Sequence, residues 1–421
     1  MNALIIILNA LLFGLLVWYV YQKLRPSSSN LFAIALLVRV AAAIILGVLY
    51  RSYYSAGDTW NFFNDAVRVS NFASQDFFSF LHFIWDEDAV LQLASQLGSA
   101  DRSLLLVKIL TPFVILTGAN YWLVAVWFGL ISFVAAWWLF ATIEKYFPNQ
   151  VFAAGISILF FPSVVFWSSG LIKENLGLAG LYMVLATVIR WFKGKKPRVF
   201  EWAVAAISFY VAWRLKYYWT ALFAAVLVTT IGAFWITQKT KVRYAITWIL
   251  IFIMLTLLTT LLHPNFYLGR ILGVIVENNQ QFIALSAIGE SIQYTDLQAS
   301  WQSMVLNAPN ALFSGLFRPF LWEAGGITAI AAALENTVLL ILVLKGLTSF
   351  KRYDVKASIP LLVYSLVLCV FLALSSPNFG TLSRYRVGFL PFFVFLVTAH
   401  HPWLLKLQRR LNRQPKQTLL A

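Results

Sequence analysis

The sequence predicts an all-α protein, a polytopic membrane helix bundle of about eleven transmembrane helices. Three observations carry that expectation. Of the 421 residues, 61% are hydrophobic and only 11% are charged, against about a quarter charged in an ordinary soluble domain. Apolar runs of about 17 to 25 residues, long enough to cross a bilayer, recur along the chain. The net charge of +16 fits the positive-inside tendency of membrane proteins better than a nucleic-acid surface, so no nucleic acid is expected as a partner. The one cysteine, Cys369, lies inside an apolar run. A disulfide framework is therefore excluded, and a cysteine-based metal site is disfavoured.

Taken in order, spans fall near 3–21, 31–50, 121–142, 151–168, 172–192, 199–214, 217–237, 244–262, 325–348, 357–375 and 386–402. The first has no Lys or Arg before it and is followed by Lys23 and Arg25. A cleaved signal peptide has its positive charge first, so this reads as a retained helix with its N-terminus outside. Residues 103–118, "SLLLVKILTPFVILTG", are short and contain Lys108 and Pro112. They are read as a re-entrant or interfacial segment. That reading puts the basic loop "RWFKGKKPRV" (190–199) on the opposite face from residues 51–102. Most of the 32 Lys and Arg residues then share one face, cytoplasmic by the orientation rule, together with a solvated basic tail over 403–421. The other, external face carries two structured loops, 51–120 and 263–324, rich in aromatic and acidic residues. Structured loops of that length are usually functional. Neither a soluble domain nor an internal repeat is evident, so residues 1–421 form a single integral-membrane domain.

Several stretches could carry chemistry. In "SAGDTWNFFNDAVRVSNF" (55–72), a helix starting near Asp58 would align Asp58, Asn61, Asp65 and Arg68 on one face and Trp60, Phe63 and Val67 on another. The plain structural alternative makes Asp58 a helix N-cap. The turn "FPSVVFWSSGLIKEN" places Lys173 and Glu174 at the start of a span. Lys173 could hold a phosphate oxygen, or the two could be a snorkelling pair at the interface. "WRLKYYW" (213–219) carries Arg214 and Lys216, and "SRYRVGFLPF" (383–392) carries Arg384 and Arg386. Cations at these places suit an anionic lipid headgroup, or pairing with acidic loop residues. "LFRPFLWEAGG" (316–326) suggests an Arg318–Glu323 loop anchor. "WDED" (85–88) could bind a divalent cation or open a surface helix. Arg39 and Glu335 lie within spans and read as an ion pair or as polar contacts inside the bundle. His82 and His263 stand alone, and no zincin, nucleophile-elbow or nucleotide-loop motif is present.

An aspartate after an early span, "SSGLIKEN" opening another, "LFRPFLWE", and "RYRxxxxP" before a last span together resemble the GT-C superfamily of integral-membrane glycosyltransferases. The order covers most of the chain. The resemblance implies a bacterial inner-membrane enzyme using a polyprenyl-phosphate sugar donor and a glycan, lipid or protein acceptor at the external face. Its catalytic carboxylate maps best onto Asp58, with Asp65 second. Hexosyl or pentosyl transfer with inversion would use that carboxylate as general base. Lys173, Arg214, Lys216, Arg384 and Arg386 would face the donor phosphate. Trp60, Asn61, Glu174, Arg318 and Glu323 are further site candidates. No cofactor is certain, although Mg or Mn is used by some members of the superfamily. The chain departs from the pattern in one extra span before Asp58. Two rivals remain: a polysaccharide polymerase or ligase of the O-antigen type, centred on the 263–324 loop and Arg318, and a transporter or flippase. A purely structural membrane subunit is the fourth reading.

Overall fold

The computed structural model describes residues 3–24, 26–54, 58–76, 78, 80, 103–240, 242–262, 264–346 and 355–413. Among them there is no strand, only an isolated bridge between Ser291 and Asn378. The protein is an all-α, multi-pass membrane protein. "WDED", His82 and His263 lie outside the described residues.

The helices are α1 (Ala3–Leu24), α2 (Ser29–Ser52), α3 (Asp58–Gln75), α4 (Leu104–Thr117), α5 (Tyr121–Tyr146), α6 (Lys173–Phe192), α7 (Val199–Leu215) and α8 (Tyr217–Lys239). They continue as α9 (Tyr244–Leu262), α10 (Leu268–Ala284), α11 (Trp301–Phe317), α12 (Ile327–Gly346), α13 (Val355–Ser375), α14 (Phe379–Tyr385), α15 (Leu390–Ala399) and α16 (Pro402–Arg413). By length and composition α1, α2, α5, α6, α8, α9, α12 and α13 can each cross a membrane. Residues 379–388 and 390–399, bent by 68°, make one further broken span. The remaining two of the eleven expected spans are shorter helices. Val199–Leu215 has 17 residues, about 26 Å against a hydrocarbon core of about 30 Å. The 151–168 segment is broken: a π-helical stretch over Gly155–Phe160 ends before Pro162, which opens the turn Pro162–Trp167. Proline has no N–H to donate and favours a helix start.

The chain forms two compact units, one of residues 1–148 and 158–220, the other of 149–157 and 221–421. In the first, α2, α5, α6 and α7 pack in succession and α3 lies against α4. Polar side chains fix this apolar packing. Asn9, the buried polar residue of α1, donates to Leu116 O (3.0 Å) and accepts from Trp127 Nε1 (2.8 Å). Arg39 on α2 donates to Ser168 Oγ (2.8 Å), Ile158 O (2.7 Å) and Ser132 Oγ. It is thus a bundle-interior tie. Gly180 on α6 permits close approach of α7: a Cβ there would stand 2.5 Å from Ser208 O.

Segment 103–118 forms a 14-residue helix, about 21 Å long and too short to cross. Gly118, at φ 61°, closes it in the left-handed conformation that glycine adopts without penalty. Leu106, Val107, Leu110 and Val114 join Phe62, Phe63, Ala66 and Val69 of α3 in one buried cluster.

In the second unit, α13 packs against α10, α11 and α15. The expected structured loop over 263–324 is present as α10, α11 and the turn Leu321–Glu323. Its irregular part is tied down at 374–379. Ile292 N donates to Pro377 O, Phe379 N to Glu290 O, and Asn279 Nδ2 to Leu374 O (3.0, 3.0 and 2.7 Å). Within the basic tail, residues 402–413 form a helix.

Candidate functional site

The first unit carries eight of the candidates, Asp58, Trp60, Asn61, Asp65, Lys173, Glu174, Arg214 and Lys216, most of them at one end. There α2 ends, α5 and α6 begin, α7 ends, and α3 starts. Asp58 is the first residue of α3 and is exposed. A carboxylate in a first turn is favoured by the helix dipole. One turn along, the Phe62 ring lies 5.8 Å from Lys173 Nζ, and that ammonium donates to Ser103 Oγ at 3.0 Å. Lys173 opens α6, so the structure brings the carboxylate of α3 and the cation of α6 to the same end of this unit.

Asp65 shares the expected helix face with Asp58 but is buried. It is only 2% exposed, and Arg68 Nη1 stands 3.1 Å from its Oδ1. The helical register explains this. Asp65 lies at the edge of the arc formed by Phe62, Ala66 and Val69, which α4 covers. Asp58 falls near the same line but at the uncovered helix end. Asn61 is exposed. Trp60 is held by packing: it stacks on Tyr121 (3.8 Å, 10°), donates Nε1–H to Gly47 O (3.1 Å), and has Arg51 over its ring. Phe63 is buried in the core.

Lys173 and Glu174 reach different partners, Ser103 and Lys216. Glu174 is fully buried and binds Lys216 Nζ at 2.6 Å. Lys216 also lies 5.2 Å from the Trp219 ring centre. Thus Lys216, expected at a donor phosphate, closes on a carboxylate, and Glu174 is its partner. Asn175 helps hold the turn, donating to Phe128 O and Gly170 O (3.1 and 3.0 Å). Arg214 is exposed and donates to Tyr210 Oη at 3.2 Å.

The opposite ends of these helices carry cations. Arg190 pairs with Glu201 (2.7 Å), Lys193 lies over Phe147 (4.4 Å), and Lys145 ends α5. Desolvation, then repulsion from Arg190, pushes the Lys195 ammonium below its ordinary pKa, while Glu201 opposes the shift.

The second unit gathers the other candidates. Arg318 Nε donates to both oxygens of Glu323 (3.0 and 3.1 Å), Phe320 N adds a third bond at 2.8 Å, and the guanidinium stands 4.9 Å from the Phe379 ring centre. The loop anchor expected from sequence is therefore formed. Arg386 is 1% exposed, donating to Asn336 Oδ1 (2.6 Å) and Glu335 Oε1 (3.2 Å). Glu335 thus pairs with Arg386, and Arg39 makes its own contacts in the other unit. Asn336 Nδ2 donates to Pro319 O (3.1 Å), joining the two arginine sites. Arg384 is buried beside them in the sequence. Tyr294, which the sequence did not single out, belongs to the same cluster. Burial raises its phenol well above the ordinary range, and the Cys369 thiol adds to the shift while Arg318 opposes it.

No group of three or more His, Cys, Asp and Glu side chains assembles among the described residues. With Asp58 exposed and Asp65 buried against Arg68, these two carboxylates do not form a paired cation site. No protein-family model, no curated protein and no solved structure matches the chain.

Proposed function

We propose that the chain is a membrane glycosyltransferase that moves a sugar from a polyprenyl phosphate to an acceptor hydroxyl. The observation that carries the reading is an exposed carboxylate, Asp58, opening a helix whose next turn, at Phe62, lies 5.8 Å from the Lys173 ammonium. The resemblance of the ordered motifs to the GT-C superfamily supports it. In the reaction, the acceptor oxygen forms a bond to the anomeric carbon while the bond from that carbon to the phosphate oxygen breaks. Asp58 takes the acceptor's proton. The bond electrons leave with the polyprenyl phosphate, and configuration inverts. Lys173, with Arg214 at the end of α7, takes up the phosphate charge. Such preorganised cations act where charge develops. Asp65, Lys216 and Glu174 hold the scaffold. No step needs a metal.

The Asp58 end is assigned to the external face of a bacterial inner membrane, with the cation-rich ends of α5, α6 and α12 in the cytoplasm. The N-terminus is then outside.

One observation favours the polymerase or ligase reading: the 268–326 region is well built and holds Arg318. Against it, Arg318 is closed bidentately on Glu323, as in a structural anchor. Mass spectrometry of lipid-linked and surface glycans in intact and deletion strains tests the choice. A transferase predicts that deletion removes one sugar from an otherwise complete glycan and that its polyprenyl-phosphate donor accumulates. Single repeat units without long chains would favour the polymerase or ligase. Unchanged glycans would sink both readings and favour transport.

A further inference from the structure

The C-terminal helix α16 does not follow from a catalytic role. Its sequence, "PWLLKLQRRLNR", contains four cations and no acid. At about 100° per residue, positions 403, 404, 407 and 411 fall within one arc. All four are Trp or Leu. Positions 406, 409, 410 and 413, all Lys or Arg, fall within a second arc centred about 120° away, which adjoins the first at Trp403. Leu405 lies between them, with Gln408 and Asn412. Trp403 and Leu407 are exposed at 53% and 44%. The helix has 12 residues, about 18 Å, which is too short to span a bilayer.

Its placement supplies the missing surface. α16 starts three residues after α15, the second half of the bent span, ends at Ala399. His401 N donates to Thr398 O (3.2 Å), and Leu405 N to His401 O (3.0 Å), so the turn between the helices is fixed. Lys345, at the end of α12, has its Nζ 5.6 Å from the Trp403 ring centre. Lys356, near the start of α13, accepts from Tyr244 Oη through its carbonyl. The helix therefore leaves the span at an end already lined by cations. An apolar arc at that level meets the acyl boundary, and a basic arc meets headgroup phosphates. A tryptophan at the junction fits the interfacial belt.

We infer that α16 is an interfacial helix that binds the anionic phospholipid headgroups of the leaflet at this end of the protein. The inference is independent of the glycosyltransferase reading, because it uses none of the residues assigned to transfer.

The test uses the full-length protein in nanodiscs of phosphatidylcholine, with and without phosphatidylglycerol. A nitroxide label is walked through positions 403–412 as single cysteines. Cys369 is fully buried, and the unsubstituted parent checks that it takes no label. Accessibility to oxygen and to a water-soluble nickel chelate is read at each position. With phosphatidylglycerol, oxygen access should peak at 403, 404, 407 and 411, and nickel access at 406, 409 and 410. The quadruple variant K406Q/R409Q/R410Q/R413Q should retain several-fold less phosphatidylglycerol after extraction. Uniform nickel access in both lipids would overturn the proposal in favour of a solvated tail. Low access to both reagents at 403 and 407 would overturn it in favour of a protein partner. The same pattern and the same lipid retention without phosphatidylglycerol or the four cations would overturn the headgroup assignment.

Discussion

Glu174 and Lys216 show how a charge is kept deep in an apolar protein: 2.6 Å apart, with side chains 0% and 4% exposed. Removing one member leaves an uncompensated buried charge, which costs about 3–5 kcal/mol, whereas replacing both with apolar groups is often neutral. Glu174→Leu or Lys216→Met alone should therefore lower the unfolding midpoint in detergent steeply. The double variant should recover most of the loss. Equal losses for single and double variants would show that the pair is not coupled. The signal for this pair was in the sequence: the short basic loop 193–198 joins the end of α6 to the start of α7, so the two helices return alongside each other and the start of α6 meets the end of α7. His401 gives a residue-scale pH dependence. Burial lowers its pKa, and a backbone hydrogen bond at Leu342 opposes the shift. A neutral buried imidazole stabilises the fold above the unfolded histidine pKa of about 6.5. As pH falls below that value, the unfolded chain binds a proton that the folded chain binds less readily, and stability is lost. His401→Gln should flatten this fall in melting curves between pH 7 and pH 5, chosen to bracket the histidine range.

At the scale of elements, α3 was legible as an amphipathic helix with Trp60, Phe63 and Val67 on its apolar face, but its buried arc is centred on Phe62, Ala66 and Val69. Asp65's burial was not legible, since it depends on how far α4 wraps around that apolar arc. Likewise, the break at Pro162 was readable from proline chemistry, but the π-helical stretch before it was not, because no residue type demands one. The α6–α7 contact depends on a missing side chain. Gly180→Ala would place a methyl 2.5 Å from Ser208 O, and forced overpacking costs about 1–3 kcal/mol. The variant should melt at a lower temperature than Gly194→Ala would through contact alone, as nothing lies within 4 Å of Gly194. Gly194 has φ 77°, so its own loss reflects backbone strain. An unchanged midpoint for Gly180→Ala would show that the helices separate without penalty.

For the whole molecule, composition and run length were enough to give an all-α, multi-pass membrane protein, because burying so much apolar surface leaves no soluble alternative. The pairing of buried charges across distant spans was not legible, since it depends on which helices become neighbours. In the first unit, cations gather at the ends of α5 and α6 opposite Asp58. The proposed orientation predicts that Asn61→Cys reacts with an impermeant thiol reagent from outside intact cells. Lys196→Cys should react only after the membrane is opened. The reverse pattern would put Asp58 on the cytoplasmic side and end the proposed external transfer.

The central claim is that Asp58 is the base for sugar transfer. Its most direct test is complementation of a deletion strain with Asp58→Asn at matched expression and matched melting temperature, read by mass spectrometry of lipid-linked and surface glycans. The account predicts a glycan lacking one sugar, as in the deletion, with transfer reduced by about 10²–10⁴-fold, the range of general-base catalysis. Full restoration of the glycan by a folded Asp58→Asn protein would contradict it.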